Sequence, residues 1–502
     1  MKTPPPSPSR RLIWLLLAPT LGPGVPASLP AADAARPNVL FILADDLRVE
    51  WADEGSPALT PNLDRLAARS LRFDRAYCQQ ALCNPSRSSL LTGLRPETLR
   101  LDTNGVHFRE RRPDIVTLPQ YFKAHGYETR GIGKIFHNWH TREHGDRRSW
   151  SAPEFLHYAH HGADTAQVPE PSPSHARHAV WNYGGMPICE ARDVPDDAYY
   201  DGRVATEAVR VLAEPRSQPL FLAVGFWKPH APFNAPKKYW DLYDPARLPA
   251  ADASRPDGAP AMAFHEGPEL IVPRGSPEPL TPEQVAEMRH GYLAALSYLD
   301  AQLGRVLAAL EASGEADRTL IVFTSDHGFH LGEHALWGKT SNFERDARVP
   351  LLIALPGAKD SKATRALAEL VDLYPTLAEL CRLPPPPEVD GVSLAPILHD
   401  PTQSVKPAAF TQHPRPSHYD RFPAGVPTSV GYSVRTASVR YTEWRAAPSG
   451  EIVGRELYPD AELPGAPVNR VDDHRFISAQ TEATDLLRAQ FPVSLPPAAP
   501  SR

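Results

Sequence analysis

Five short, mostly apolar runs at residues 39–44, 128–132, 220–226, 320–324 and 350–355 recur along the chain, each followed by polar residues. Runs of this length that do not alternate read as buried parallel strands, covered on both faces. Amphipathic helical stretches lie between them. The clearest spans 282–312, with Thr281 placed as N-cap, Pro282 at the first helical position, Gln284 at the third and Gly314 just past the end. Its apolar stripe runs through Val285, Met288, Tyr292, Leu296, Leu299, Leu303, Val306 and Leu310. This alternation predicts an α/β fold, a mixed or parallel sheet flanked by helices. Farther on, at 432–435 and 438–444, short alternating segments predict a small antiparallel unit. The reading therefore separates a main domain at 36–425 from a C-terminal α+β subdomain at 426–502.

At the start, Lys2, Arg10 and Arg11 precede an apolar run at 12–18, and Ala32-Asp33-Ala34 offers a cleavage site. Residues 1–34 are expected to be a signal peptide, exporting the protein to a periplasmic or secreted location, or a lysosome-like one in a eukaryote. The run is broken by Pro19, Pro23 and Pro26 and is too short to span a bilayer, so no stable membrane anchor is expected. Ser9-Arg10-Arg11 leaves twin-arginine and general export both open. A net charge of -6 provides no global basic field, which argues against a nucleic-acid partner and leaves any polyanionic substrate to a local cluster of cations. The 57 prolines concentrate in connections such as 169–173 and 384–387 and predict long ordered loops, while the proline-rich end after about 494 is expected to be disordered. Four cysteines, Cys78, Cys83, Cys189 and Cys381, lack the close pairs of a zinc site and are too few for a disulfide scaffold.

In an open α/β sheet, ligands bind beyond the carboxyl ends of the strands. The residues found there are chemical in type: Asp45 and Asp46, then Lys134 and His137, then Lys228 and His230, then Asp326 and His327. Adjacent carboxylates at a strand end repel by about 4 kcal/mol at about 4 Å with an effective dielectric near 20, which a bound cation relieves. Asp326 adds a third oxygen donor, so the set suits Ca²⁺ or Mg²⁺ better than zinc, although His327 is an unusual neighbour for calcium. The other reading of Asp45-Asp46, helix capping, weakens once the second acidic strand end is counted. The most specific segment is Cys83-Asn84-Pro85-Ser86-Arg87-Ser88-Ser89-Leu90-Leu91-Thr92-Gly93. Pro85 and its serines predict a first helical turn, with Cys83 at the anion-attracting end. Three residues separate Cys83 from Arg87, where cysteine phosphatases use five.

Cys-x-Pro-Ser-Arg followed by Leu-Thr-Gly resembles the signature of type I sulfatases. The resemblance continues through Pro37-Asn38-Val39, Asp45-Asp46, Thr60-Pro61-Asn62-Leu63-Asp64, Gly131-Ile132-Gly133-Lys134 and Asp326-His327-Gly328. Within the family the chain is most similar to the iduronate-2-sulfatase branch, through Asp46-Leu47-Arg48, Phe136-His137, Trp227-Lys228-Pro229-His230, Gly332-Glu333-His334 and Tyr432-Ser433-Val434-Arg435-Thr436. It implies an alkaline-phosphatase-like sandwich, Cys83 oxidised to formylglycine by a maturation enzyme, and one Ca²⁺ held by Asp45, Asp46, Asp326, His327 and the modified residue 83. It further implies that Arg87 holds the nucleophile, that Lys134 and Lys339 neutralise the sulfate, that His230 protonates the departing sugar alcohol, and that His137 takes a proton when sulfate is expelled.

The expected activity is hydrolysis of sulfate esters on a saccharide. Two other readings stand beside it: a phosphodiesterase or phosphonate monoester hydrolase, and a non-catalytic binder of sulfated glycans if Cys83 stays a thiol. With Cys83 consumed, at most one disulfide could form among Cys78, Cys189 and Cys381. Lys228 is read as a sulfate contact or a side chain lying beside Trp227, His334 as a sugar contact or a structural hydrogen bond, and Asp300 as a surface or capping charge. The histidines beyond His137, up to His161, are expected in a substrate-facing or solvated loop. Specificity is expected in loops 140–196 and 247–277 and in the C-terminal unit.

Overall fold

In a computed structural model of the chain, the described residues are 36–137, 145–155, 182–183, 186–265, 280–417, 426–460 and 468–493. The expected signal peptide at 1–34, most of the histidine-bearing loop and the chain end therefore lie outside the described residues. The principal strands are β1 (Asn38–Asp45), β2 (Leu71–Tyr77), β3 (Glu128–Gly133), β4 (Leu220–Pro229), β5 (Thr319–Ser325), β6 (Arg348–Val349), β7 (Leu351–Ala354) and β8 (Lys362–Glu369). They pair in the order β6-β2-β7-β5-β1-β4-β3, with β8 also on β2. β1 lies at the centre, parallel to both neighbours, with Val39 opposite Phe221 on one side and Leu320 on the other.

The sheet is mixed and mostly parallel, as expected, but the run at 350–355 is a correction. Its strand β7 is antiparallel to both β5 and β2. Apolar continuity reports burial on two faces, which a central antiparallel strand shares with a parallel one. Three strands of this sheet, β2, the two-residue β6 and β8, escaped the sequence reading altogether. β2 alternates buried and half-buried positions in a highly charged segment, and β8, Lys-Ala-Thr-Arg-Ala-Leu-Ala-Glu, is composed largely of good helix formers. Pairing along β2 overrides that local preference.

Side chains alternate across β1, and the two faces feed two cores. Val39, Phe41 and Leu43 pack with Leu90 and Leu91 of helix α1 (Cys83–Thr92) and with Leu373 and Leu377. Leu40, Ile42 and Ala44 pack instead with Val204 and Ala208, and with Leu299, Leu303 and Val306 of helix α2 (Pro282–Ala312). Helix α2 starts with the expected reciprocal cap: Gln284 N donates to Thr281 Oγ1 at 3.3 Å and Thr281 N to Gln284 Oε1 at 2.8 Å. It is long and apolar enough to cross a membrane, yet 72% of its most apolar window is buried inside the protein. Each fully buried leucine or valine on its stripe contributes about 1.5–3 kcal/mol.

The second sheet is antiparallel, in the order β9 (Ala409–Arg415), β10 (Ser429–Arg435), β11 (Val439–Ala446), β12 (Ile452–Pro459), and packs on helix α3 (Ile477–Gln490). Its first strand lies upstream of position 426, where the sequence reading placed a boundary; Pro414 and a lack of alternation hid it. Backbone and side chains stitch this sheet to the first. Gln412 N donates to Gln79 O at 2.9 Å, Arg440 Nη2 to Glu344 at 2.7 Å, and Phe410 N to Glu369 Oε1 at 2.9 Å, while Arg95 grips the same Glu369 from outside both sheets with two bonds at 2.7 and 2.8 Å. All four cysteines are buried and free, so the pairing left open among Cys78, Cys189 and Cys381 does not form in this structure.

Candidate active site

Parallel register places the ends of β1 and β5 side by side, with Ala44 opposite Ser325. The chain then turns sharply. Asp46 adopts φ 61°, a left-handed conformation that costs a non-glycine residue of order 1–3 kcal/mol and must be held by its surroundings. Two bonds hold it: Asp46 N donates to Asp326 Oδ1 at 3.2 Å and Leu47 N to Ser325 Oγ at 2.9 Å. On the other side of β1, glycines let β3 and β4 close together. A Cβ on Gly133 would sit 2.0 Å from Gly225 O, and one on Gly225 would sit 2.0 Å from Lys134 O, so only glycines let Lys134 turn into the site.

Helix α1 begins at Cys83, and all ten of its residues are buried. One turn along, Arg87 acts as a hub. Its Nε donates to Asp326 Oδ2 at 2.8 Å, Nη1 to the carbonyls of Lys134 and Ile135, and Nη2 to Ala44 O at 3.4 Å. One guanidinium thus fixes the ends of β1, β3 and β5 beneath the Cys83 helix.

Around Cys83 the expected groups converge. Its Sγ lies 3.3 Å from His327 Nε2, 3.4 Å from Lys339 Nζ, 3.5 Å from Asp45 Oδ1 and 3.9 Å from Lys134 Nζ. Lys134 pairs with Asp45, and Lys339 Nζ donates to Asp46 Oδ1 at 2.8 Å. His230 Nε2 stands 3.7 Å from Asp46 Oδ2. Three carboxylates thus meet three cations, Arg87, Lys134 and Lys339, and the side chains alone leave the centre close to neutral.

Burial drives the Cys83 thiol well above its ordinary range, and Asp45 adds to this against the pull of Lys134 and Lys339. Burial and the Lys339 and Lys134 ammoniums together hold His230 well below the usual imidazole range despite Asp45. A carbonyl can only accept, so the contacts of His230 Nδ1 with Ala231 O (2.6 Å) and of His327 Nδ1 with Gly328 O (2.9 Å) place the proton on Nδ1 in both rings. Each Nε2 is left with its lone pair facing the centre.

The donor set fits a hard cation. Asp45, Cys83, Asp326 and His327 form one group whose ligand atoms lie within 4.8 Å of one another, and Asp45, Asp46, Cys83 and His230 form a second. Buried carboxylates at this density are relieved by a divalent ion, and the Nδ1–H bond of His327 orients its Nε2 as metal ligands commonly require. His137 is buried three residues after Lys134 and belongs to neither group.

The remaining candidates resolve differently. Lys228 Nζ donates to Pro232 O at 2.7 Å and His230 O at 3.3 Å, so it braces the loop that carries His230. Burial lowers its ammonium to about 8 against the pull of Asp201 and Glu190. His334 packs its ring against Phe343 and His330, at 5.0 and 5.5 Å. Asp300 is buried and caps the helix at Pro61–Ala67, accepting from Leu63 N at 2.7 Å and Asn62 N at 3.1 Å. A network unseen in the sequence adjoins the site: Tyr292 Oη donates to Asp46 O at 2.9 Å and accepts from Arg48 N at 3.1 Å, while Arg48 and Arg289 both reach Glu333.

Against known proteins, the sulfatase family profile matches residues 37–382, well over half of the chain. The chain belongs to the sulfatase family. The C-terminal profile of N-sulphoglucosamine sulphohydrolase also matches this sulfatase, at residues 332–482. Human iduronate 2-sulfatase is 34% identical over 513 residues, spanning 88% of this chain and 91% of the relative; the mouse protein gives the same figures over 516 residues. The sulfatase thus lies close to that branch and is a sulfuric ester hydrolase. Among solved structures, the phosphonate monoester hydrolase of Agrobacterium radiobacter superposes with TM-score 0.71 at 25% identity, covering 91% of this chain and 96% of the other. A structure solved with its substrate D-glucosamine-2-N,6-O-disulfate superposes with TM-score 0.69 at 22% identity over 91% of this chain and 97% of the other, a likeness of fold.

Proposed function

We propose that this sulfatase removes sulfate from a saccharide, with Cys83 matured to formylglycine as nucleophile and Ca²⁺ held by Asp45, Asp46, Asp326 and His327. The observation that carries the reading is the position of Cys83 Sγ, within 3.5 Å of Asp45, His327 and Lys339 at the start of a buried helix. A simple thiolate nucleophile is disfavoured there, because burial and Asp45 oppose ionisation. The aldehyde form of residue 83 supplies a hydrated carbon whose hydroxyl can attack sulfur, and the dication supplies positive charge to a centre that its own side chains leave neutral.

The chain's residues do the rest. Lys134 and Lys339 flank position 83 and would hold sulfate oxygens as charge shifts onto the departing alcohol, an interaction stronger in the transition state than in the ground state. Arg87 keeps Asp326 and the strand ends in register. His230, held by its Nδ1 bond and by the Lys228-braced loop, presents a proton-free Nε2 to the same space; it would take up there the proton lost by the attacking hydroxyl and pass it to the departing sugar oxygen. His137 is retained as the partner that removes a proton in the second half of the reaction. The similarity to iduronate 2-sulfatases supports a sulfated, glycosaminoglycan-like substrate. Export, a maturation enzyme and the export machinery as partners complete the reading.

The test is the mass of the peptide containing Cys83, from protein co-produced with a formylglycine-generating enzyme. Conversion lowers it by about 18 Da, and Cys83→Ala then loses turnover of an aryl sulfate. An unmodified thiol in an active preparation would overturn the nucleophile. The structural likeness to phosphonate monoester hydrolases supports a second reading, and an aryl phosphodiester hydrolysed faster than the aryl sulfate would move it to the front.

A further inference from the structure

A cavity of about 670 Å³ opens beside the catalytic centre, between the loop after β1, the 249–252 segment, the Glu333–His334 turn and the end of the second sheet. None of the eight groups gathered around Cys83 lines it. Its wall is rich in arginine, and nearly every guanidinium there is matched by a carboxylate. Arg48 and Arg289 share Glu333, Arg348 is gripped by Glu54, and the arginines at the far end converge on Asp460.

Arg345 differs. Among the described residues its side chain makes no hydrogen bond and lies within ion-pair distance of no carboxylate, and its Nε is shut off from solvent without a partner. A second donor on the same wall, Trp51 Nε1, is likewise buried and unbonded among the described residues. Glu333 and Glu50 attract Arg345 from beyond ion-pair distance but are paired with Arg48 and Arg289, whose own charges repel it, so this half-buried cation is incompletely compensated. Burial and Arg48 accordingly hold the Arg345 guanidinium below its ordinary range, Glu333 offsetting part. The wall carries carboxylates of its own, but Glu50, Glu54, Asp74, Glu333, Glu344 and Asp460 are each paired with another cation, so the acceptor that Arg345 lacks is left to an oxyanion, which a planar guanidinium matches in two-pronged geometry.

We propose that this cavity is a second anion-binding site, in which Arg345, assisted by Trp51, takes a sulfate or carboxylate group, either as a free ion or as part of an acidic saccharide. The cavity volume suits one or two sugar rings better than a lone ion. A longer saccharide could thus be anchored away from the bond being cut, independently of the chemistry at Cys83.

The experiment measures binding rather than turnover, so its outcome does not depend on the catalytic reading. Titrations of Cys83→Ala protein use inorganic sulfate and a heparin-derived tetrasaccharide as probes, each repeated in Arg345→Ala and Arg345→Lys backgrounds, with thermal melts as the folding control. Arg345→Ala is expected to weaken tetrasaccharide binding at least about tenfold at an unchanged melting temperature, and Arg345→Lys to recover part of it. Loss confined to inorganic sulfate would assign the site to the free ion. Equal affinities for both probes in all three folded proteins would overturn the proposal. If Arg345→Ala does not fold, the Arg345→Lys comparison decides on the same criterion.

Discussion

At the scale of single residues, the centre is a balance of charges fixed by backbone geometry. Lys339 touches both Asp46 and Cys83, so Lys339→Ala is expected to lower kcat about 10²–10³-fold with little effect on folding, read from aryl-sulfate turnover beside a thermal melt. Chelation should mimic this loss if the carboxylates hold a cation: dialysis against a calcium chelator is expected to abolish turnover, and added Ca²⁺ to restore it. An enzyme indifferent to both would remove the metal from the scheme. Asp45, Asp46, Asp326 and His327 were legible because strand ends in one sheet share one rim. Lys339 follows no long apolar run, and only the family resemblance pointed to it. The Arg48–Glu333 pair was beyond reach, since its partners are 285 positions apart and no local pattern links them.

At the scale of elements, burial was legible and direction was not. Apolar runs identified β1, β3, β4, β5 and β7 as core strands, yet β7 reverses, and β8 forms from helix-favouring residues because β2 offers it a partner. The long helix α2 was readable to its cap because capping chemistry is local. Asp300 shows what α2 does besides pack. Its carboxylate takes two backbone N–H groups at the start of the helix at Pro61–Ala67, and a side-chain amide from Asn62. Asp300→Ala leaves those donors buried and unmet, so a loss of about 1–3 kcal/mol is expected in urea unfolding, with Asp300→Asn recovering part. A change below about 0.5 kcal/mol would show that the cap contributes nothing net.

At the scale of the whole molecule, two buried carboxylates bolt the second sheet to the first. Burial pushes Glu344 up, but Arg440 and Arg435 outweigh it and hold the group down at about 2. Glu369 likewise stays at about 2 because Arg95 and Lys406 overcome its burial. A carboxyl whose folded pKa lies below its unfolded value of about 4.3 stabilises the protein fully above that value and loses the contribution as pH falls through the folded one. Stability should therefore fall between about pH 4.5 and 2, by about 3 kcal/mol per group, with Asp372, which burial raises, offsetting part. Denaturation midpoints at pH 6, 4 and 3 test this, and Glu344→Gln should flatten the profile. The closed fold also sets an order in time. Cys83 is 1% exposed, at the first position of a helix buried along its full length. If residue 83 is converted as proposed, the enzyme that grasps it has to reach it while the chain is still open, and chemical maturation and folding would then run as competitors. Chains that fold first would be locked as inert thiols, and adding the maturation enzyme afterwards should rescue none of them unless they are first unfolded.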